Sequence, residues 1–274
     1  MSILESMFYG LISGFAEFLP VSSQAHQIIA RYLMGARSAA PIRELLVHIA
    51  MIIALCIANR VTLLRLNRER RFAIRSRRRK TQATRGFYEY RLLKTAAVPM
   101  LIAMSMGLFV GNFDSSVLWI ALFFVINGVL LIVTDHLPHG NKGARKMSML
   151  DNMMLGLISV VSIFPGISRI AAMHGFAIWR GADKQESLNW VLILSLPALL
   201  LLCVLDIVAI FTVGIGAISF TALIGYVFAA VFAGVGSYLG IILVRFLIVR
   251  SSFSTFAYYS WGAALFVLML YLIA

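Results

Sequence analysis

A short stretch near the N-terminus holds most of the polar side chains that could do chemistry. Glu17, Ser22, Ser23, Gln24 and His26 fall within ten residues of an otherwise apolar segment. Ionisable groups in apolar surroundings are costly, and they usually face a cavity or a partner. Ser22 or Ser23 could instead only cap a helix, and this alternative stays open. The cluster is the first candidate site.

A second polar motif, Pro-Gly-Ile-Ser-Arg at 165–169, follows another apolar segment. Gly166 permits close backbone approach, and a helix that begins after it presents N–H groups with partial positive charge. Arg169 adds a planar guanidinium that can hold an oxyanion at two points. The motif predicts a phosphate-binding site made by Gly166, Ser168 and Arg169. Arg169 could also, or instead, form a salt bridge with Glu17 that ties the two motifs together.

Taken together, the two motifs carry a residue set that suits phosphoanhydride cleavage. Arg169 and the helix N–H groups would stabilise charge on the phosphoryl oxygens. Glu17 would hold a divalent cation, Mg²⁺ or Ca²⁺, because hard cations prefer oxygen ligands. Ser22, Ser23 and His26 are the further catalytic candidates. His26 would act as general base, as nucleophile or as the acid for the leaving group, and the sequence does not choose among these roles.

The composition predicts the elements that must position these side chains. Of the 274 residues, 61% are hydrophobic and only 13% are charged, and the mean hydropathy is +0.92. Apolar stretches close to the length of about 20 residues that crosses a bilayer recur along the chain. We therefore predict one all-α integral membrane domain over residues 1–274, without a cleavable signal peptide. Its six transmembrane helices are predicted at 45–59, 95–110, 117–134, 188–211, 220–244 and 256–274.

Charge predicts the orientation of these spans. Residues 60–94 carry 13 Lys or Arg residues against two acidic residues, whereas 111–116 and 212–219 carry no Lys or Arg. The positive-inside rule places the basic loop 60–94 in the cytoplasm and both termini outside it. The loop is expected to contact anionic membrane lipids. Nucleic acid is not expected as a partner, because no aromatic platform or docking motif accompanies the charge.

Two segments, 1–33 and 151–179, do not fit simple spans, because each begins as an apolar helix and then meets a proline and polar residues. A proline at membrane depth frees backbone groups that neighbours or a cavity must satisfy. Each segment is therefore predicted to be a re-entrant helical hairpin.

The two hairpin segments also resemble each other. Gly-Leu-Ile-Ser occurs at 10–13 and again at 156–159, and a serine stands three residues after each of Pro20 and Pro165, with a one-residue shift between the two matches. With the predicted orientation, the hairpins enter from opposite sides. This is the signature of an inverted-topology repeat, here 1–137 and 138–274, whose broken helices form a site near the midplane. Chance similarity of two apolar segments is the alternative.

These motifs resemble those of a known family. Glu-Phe-Leu-Pro-Val-Ser-Ser at 17–23 with His26 is similar to the signature of bacterial undecaprenyl-diphosphate phosphatases of the bacitracin-resistance type, and 165–169 is similar to their second motif. Leu-Val-His-Ile at 46–49 resembles the family's third polar position, so that His48 either packs or lines the site. The resemblance implies six spans, two re-entrant hairpins and a divalent cation. It also implies removal of the terminal phosphate from the C55 carrier diphosphate, at the periplasmic side of the inner membrane, which recycles the carrier for cell-wall synthesis.

The chain departs from the family pattern at four positions. Ser13 stands where the family usually has a second acid, and Gln24 follows the double serine. Ile170 and Met173 replace a serine and a threonine of the second motif. We expect weaker cation affinity, although Ser13 could still ligate, and the loss of hydroxyl donors to phosphate.

Two other functions compete with the phosphatase. A polyprenyl-phosphate transporter or flippase, or a weakly active paralogue, would bind the lipid phosphate without cleaving it. An inactive structural membrane protein would leave Glu17, His26 and Arg169 without a role. Homodimer formation is left open. Asp206, deep in a predicted span, is either a functional carboxylate or the partner of a neighbouring helix.

Overall fold

The computed structural model describes residues 1–36, 40–78, 89–108, 116–138, 140–143, 146–214, 218–250 and 253–273. Within these ranges the protein is helical, and the only strand-like pairing is one isolated bridge between Lys142 and Ala182. The α-helices are α1 (Ile3–Glu17), α2 (Ser23–Leu33), α3 (Pro41–Ala58), α4 (Arg60–Arg78), α5 (Glu89–Ser105), α6 (Val117–His136), α7 (Met149–Ile158), α8 (Arg169–Trp179), α9 (Lys184–Val213), α10 (Phe220–Arg250) and α11 (Ser254–Ile273).

In the described part of the chain, five helices are long and apolar enough to cross a bilayer, namely α3, α6, α9, α10 and α11. The chain is therefore a multi-pass membrane protein, as its composition predicts. The predicted span 95–110 is not among the five. It lies in α5, which has 17 residues and carries charge in its first turns at Glu89, Arg91 and Lys94. The end of that predicted span, with most of the loop 111–116, lies outside the described residues.

The basic segment 60–94, predicted as a cytoplasmic loop between spans, is helical in its first part. Residues Arg60–Arg78 form helix α4. Arginine and leucine have high helix propensity, and no glycine or proline interrupts the run. An ion pair of 3.0 Å joins Arg65 of α4 to Glu89 at the start of α5. Residues 79–88 of the same predicted loop lie outside the described ranges.

Both predicted helix breaks are present. Helix α1 ends at Glu17, and α2 begins at Ser23 after Pro20. Helix α7 continues into a 3-10 helix at Ser159–Ile163, and α8 begins at Arg169 after Pro165. The two arms of each pair pack against each other. Each proline thus ends one helix and leaves a short tip before the next begins.

Helix packing follows the same scheme in the two halves of the chain. Helix α1 packs on α10, and α7 packs on α5. Helix α3 also packs on α10, and α9 also packs on α5. In this scheme α1, α3, α5 and α6 of the first half correspond, in that order, to α7, α9, α10 and α11 of the second half, and exchanging them gives the same helix pairs. The contacts α3–α9 and α6–α11 join corresponding helices and are unchanged by the exchange. The two halves therefore use equivalent interfaces.

The repeated glycines lie at equivalent places in these interfaces. A Cβ on Gly10 would lie 2.0 Å from the carbonyl oxygen of Ala229 in α10, and a Cβ on Gly156 would lie 2.1 Å from that of Ala96 in α5. Such distances leave room only for a hydrogen atom, so that the backbones of each helix pair can approach closely. The Gly-Leu-Ile-Ser repeat in the sequence therefore corresponds to a packing requirement that both halves share.

Candidate active site

The tips of the two broken helices contact each other directly. Ser22 has a φ of +65° and Gly166 a φ of +129°, a region that side chains rarely adopt. The N–H of Gly166 donates to Oγ of Ser22 over 2.9 Å, and both groups are buried. A Cβ on Gly166 would lie 2.6 Å from Cβ of Phe123 and 2.8 Å from the backbone nitrogen of Phe124. Only glycine fits at this point of contact with α6.

Asn127, in the middle of α6, holds both tips from behind. Its Oδ1 accepts from the backbone N–H of Ser168 over 2.8 Å. Its Nδ2 donates to the carbonyl oxygen of Pro20 and to Oγ of Ser260 in α11, each over 3.0 Å. A buried amide must find such partners, and this one finds them on both hairpins. Sequence analysis missed this residue, although a lone asparagine in an apolar span is a signal that could have identified it.

Glu17 and Arg169 are joined by a buried ion pair between the two hairpins. One Nη of Arg169 donates to Oε1 of Glu17 over 2.5 Å, and the hydroxyl of Ser23 donates to the other carboxylate oxygen. The second Nη lies 4.0 Å from Sδ of Met104, and the buried Nε has no partner among the described residues. The guanidinium therefore keeps donor capacity for a ligand. This contact matches the salt bridge that the sequence offered as one role of Arg169.

A cavity of about 380 Å³ opens beside this ion pair. Its volume suits the head of a small polar ligand. One part of its wall comes from the two motifs, through Glu17, Ser22, Ser23, Gln24, Ser168 and Arg169. The other part carries polar groups of α2, α3 and α9, namely Gln27, Arg31, Glu44, His48 and Asp206.

The second part of the wall contains acids with their own partners. Nδ1 of His48 lies 2.6 Å from Oδ2 of Asp206, which links α3 to α9. Glu44 accepts from the hydroxyl of Tyr9 over 2.7 Å and from Arg43 over 2.8 Å. Asp206 therefore pairs with a neighbouring helix, and His48 lines the cavity. Sequence analysis did not single out Glu44, which stands one helical turn before His48 on the same face.

Three predicted residues, His26, Ser13 and Gly166, do not line the cavity. Nδ1 of His26 lies 2.7 Å from the carbonyl oxygen of Ser22, and Nε2 lies 2.7 Å from the hydroxyl of Tyr259, whose ring stacks on the imidazole. Both ring nitrogens thus have partners, one within the tip itself and one in α11. Ser13 is completely buried in α1, and its hydroxyl has no partner in the described structure. Gly166, at the contact between the two tips, is the third proposed motif residue that the cavity does not reach.

The predicted phosphate-binding N–H groups of the second motif are engaged within the protein. Gly166 donates to Ser22, and Ser168 donates to Asn127. Oγ of Ser168 caps α8 by accepting from Ala171 over 3.3 Å. Two replacements in this motif add apolar bulk, since Ile170 and Met173 are both buried in the core, and Ile170 also lines the cavity. Arg169 is therefore the main anion-binding group that the second motif turns toward the cavity.

The acids present fit one kind of cation site only. Among the described residues there is no group of three or more His, Cys, Asp or Glu side chains that could hold a metal ion. Glu17 brings one carboxylate to the tips, and Ser13, where a second acid was expected, does not reach the cavity. Mg²⁺ commonly binds through one or two carboxylates together with substrate phosphates. The residues fit a Mg²⁺ shared with a diphosphate, and they do not fit a cation held by protein ligands alone.

Comparison with known proteins gives one consistent result. The chain is 26% identical over 268 residues to undecaprenyl-diphosphatase 1 of Shouchella clausii. The aligned region covers 97% of this chain and 96% of that relative. It is 30% identical over 209 residues to undecaprenyl-diphosphatase of Treponema denticola, 76% of each chain, and 27% identical over 277 residues to that of Methanobrevibacter smithii, 98% of each. The model of the family described as bacitracin resistance protein BacA matches residues 6–266. The chain belongs to the bacitracin resistance protein BacA family.

Proposed function

We propose that this protein is an undecaprenyl-diphosphatase, which hydrolyses the terminal phosphate of the polyprenyl diphosphate carrier and returns the monophosphate to cell-wall synthesis. The observation that carries the proposal is the buried Glu17–Arg169 pair, which lies at a shared cavity between two broken helices in a chain of this family. The names of the relatives favour the phosphatase over the transporter alternative.

Arg169 would bind the terminal phosphoryl group. Its Nε is unpaired among the described residues, and a buried guanidinium forms strong charge-assisted hydrogen bonds with phosphate oxygens. Ser23 and Gln24 line the same wall at the start of α2, where the partial positive charge of a helix N-terminus favours an anion. These groups would stabilise the charge that builds up on the phosphoryl oxygens in the transition state.

Mg²⁺ would neutralise part of the substrate's charge if it enters with the diphosphate, and Glu17 is the residue that would hold it. Each oxygen of Glu17 already has a partner, one in Arg169 and one in Ser23. The carboxylate is thereby fixed in place with lone pairs to spare. With one carboxylate at the tips, the protein would bind the cation weakly without substrate. Ca²⁺ prefers six to eight oxygen ligands and would fit less well.

The proposed location is the bacterial inner membrane, with the cavity facing the periplasmic side. The basic helix α4 supports a cytoplasmic position for that end of α3, because basic segments stay inside. The equivalent helix pairings and the paired glycines Gly10 and Gly156 support an inverted-topology repeat with two re-entrant hairpins. Anionic headgroups are the proposed partners of the arginines of α4.

Phosphate release tests the proposal. The purified chain in detergent is incubated with farnesyl diphosphate and with the C55 diphosphate in the presence of Mg²⁺, and released phosphate is measured. We expect turnover by the wild type and a loss of at least about 100-fold in Arg169→Ala. Arg91→Ala, which removes an exposed arginine of α5, is the matched control and should keep full activity. The proposal fails if the wild type releases no phosphate from either lipid, or if uncleaved lipid is moved across liposomes instead.

A further inference from the structure

His48 and Asp206 form a histidine–carboxylate pair at the cavity that holds Glu17 and Arg169. The two residues come from different spans, α3 and α9, and their side chains meet over 2.6 Å. Both line the cavity, and His48 is 7% exposed. An ionisable pair inside a membrane domain is costly, and it usually marks a functional site. Neither residue belongs to the two polar motifs.

The contact with Asp206 determines which nitrogen of His48 can react. A carboxylate accepts the Nδ1–H, so that the neutral imidazole carries its lone pair on Nε2. Nε2 has no hydrogen-bond partner among the described residues, and the side chain stands in the cavity wall. The same arrangement of carboxylate and imidazole orients the base in hydrolases of many folds.

His26, the histidine within the motif, lacks this freedom. Its two nitrogens lie 2.7 Å from the carbonyl oxygen of Ser22 and 2.7 Å from the hydroxyl of Tyr259. Proton transfer through His26 would require breaking a contact that holds the tip of the first hairpin. Proton uptake on Nε2 of His48 would break no hydrogen bond among the described residues, and His48 lines the cavity.

We propose that His48 is the general base for the hydrolysis and that Asp206 is its positioning residue. This inference rests on the proposed function. Nε2 of His48 takes a proton from a water molecule as the water oxygen forms a bond to the terminal phosphorus. The bond between that phosphorus and the bridging oxygen breaks, and its electron pair stays on the polyprenyl monophosphate. The terminal phosphorus, now carrying the water oxygen, leaves as inorganic phosphate, and the imidazolium gives its proton to the polyprenyl monophosphate or to water.

The charged groups around the imidazole are compatible with this role. Asp206 faces it from α9, Glu17 from α1, and Glu44 lies one turn earlier on α3 itself. Glu44 is held by Tyr9 and Arg43, and Glu17 by Arg169. Asp206 is thus the acid in direct contact with His48, and its charge stabilises the imidazolium formed during the reaction.

The decisive variant is His48→Gln, because glutamine can keep a hydrogen bond to Asp206 but cannot take up a proton. We expect kcat for farnesyl diphosphate to fall about 100-fold to 10,000-fold, with KM little changed. The acidic limb of the wild-type kcat profile between about pH 5 and 8 should also disappear. His136→Gln, the same change at an exposed histidine at the end of α6, should keep both kcat and the limb. Thermal unfolding in detergent confirms that each variant is folded.

Asp206 is tested separately through the split between KM and kcat. Asp206→Asn should lower kcat and leave KM unchanged, and Asp206→Glu should recover most of the loss. His48→Gln with wild-type kcat, or with the acidic limb intact, overturns the inference while leaving the phosphatase proposal standing. A wild type that releases no phosphate overturns both. If Arg169→Ala is inactive and His48→Gln is active, the inference about His48 is wrong and the proposed function stands.

Discussion

Replacing Gly166 with alanine should separate the two hairpin tips. The added Cβ would lie 2.6 Å from Cβ of Phe123, 2.8 Å from the nitrogen of Phe124 and 2.9 Å from the carbonyl oxygen of Ile120. Two of these three atoms belong to the backbone of α6 and cannot turn away. Overpacking of this kind costs about 1–3 kcal/mol, and a side chain at a φ of +129° costs about another 1–3 kcal/mol.

Relief of that clash requires the second tip to move from α6, which would break the hydrogen bond from Gly166 to Ser22. Losing it adds about 1 kcal/mol, so the total destabilisation is about 3–7 kcal/mol. This is a large part of the roughly 5–15 kcal/mol that stabilises an ordinary domain. Since Arg169 is three residues away, the guanidinium would move from the cavity, and phosphate release should fall with stability.

Thermal unfolding in detergent and phosphate release from farnesyl diphosphate measure the two effects on the same preparations. Gly262→Ala is the matched control, since a Cβ on Gly262 in α11 meets nothing within 4 Å. That variant should keep its activity and unfold at or above the wild-type temperature, because alanine favours a helix. If Gly166→Ala unfolded with the wild type and kept its activity, the close packing of the tip on α6 would be refuted.

Three further predictions concern the contacts around the tips and the far end of the second hairpin. Ser22→Ala should destabilise the protein by about 1–3 kcal/mol, because the buried N–H of Gly166 loses its acceptor; equal denaturation curves would contradict this. Glu17→Ala and Arg169→Ala should each destabilise by about 3–5 kcal/mol, and the double variant by clearly less than their sum, which a double-mutant cycle of unfolding measures. Burial raises the pKa of Asp151, but hydrogen bonds from Arg180 and Ser148 outweigh this and hold the pKa below its usual value. The contribution of the Asp151 carboxylate to stability is therefore present above about pH 4 and lost below it. The difference in unfolding temperature between wild type and Asp151→Asn should shrink as the pH falls, and a difference that stays constant would contradict this.

Membrane residence and the two broken helices could be predicted because each has a strong local signal. Apolar runs near bilayer length are visible in the composition, and Pro20 and Pro165 interrupt two of them. Hydropathy carries less information about the segment between the spans. Residues Arg60–Arg78 form helix α4, and α5 begins at Glu89, before the predicted span 95–110, because these charged stretches follow helix propensity rather than hydropathy.

The pairing of Glu17 with Arg169 could be proposed from charge, because two lone ions in apolar segments need each other. The place of His26 could not be predicted from charge. Its position four residues after Ser22 puts it one turn into α2, on a face that packs against Tyr259 of α11. Which face of a short helix turns to the cavity depends on the neighbouring helices, and the two-motif pattern carries no information about them.

The contribution of the second part of the cavity wall to the site could not be predicted, because its residues are far apart in sequence. Glu44 and His48 lie on α3, and Asp206 lies more than 150 residues later on α9. Each alone resembles an isolated polar residue at a helix end or in a span. Only the contact between α3 and α9 shows that Asp206, deep in one span, is the hydrogen-bond partner of His48 in the other span.

The replacement of an expected acid by Ser13 changes the charge that a diphosphate meets. Glu17 is already paired with Arg169, so the tips present little net negative charge to the incoming phosphates. A second carboxylate would repel the diphosphate unless a cation stood between them, so a site with a single carboxylate would bind a cation more weakly and would depend on it less. A further carboxylate, that of Asp206, lines the same cavity and contacts His48. In the proposed reaction Arg169 would bind the phosphoryl group and His48 would take a proton from the attacking water, and both residues line the same cavity.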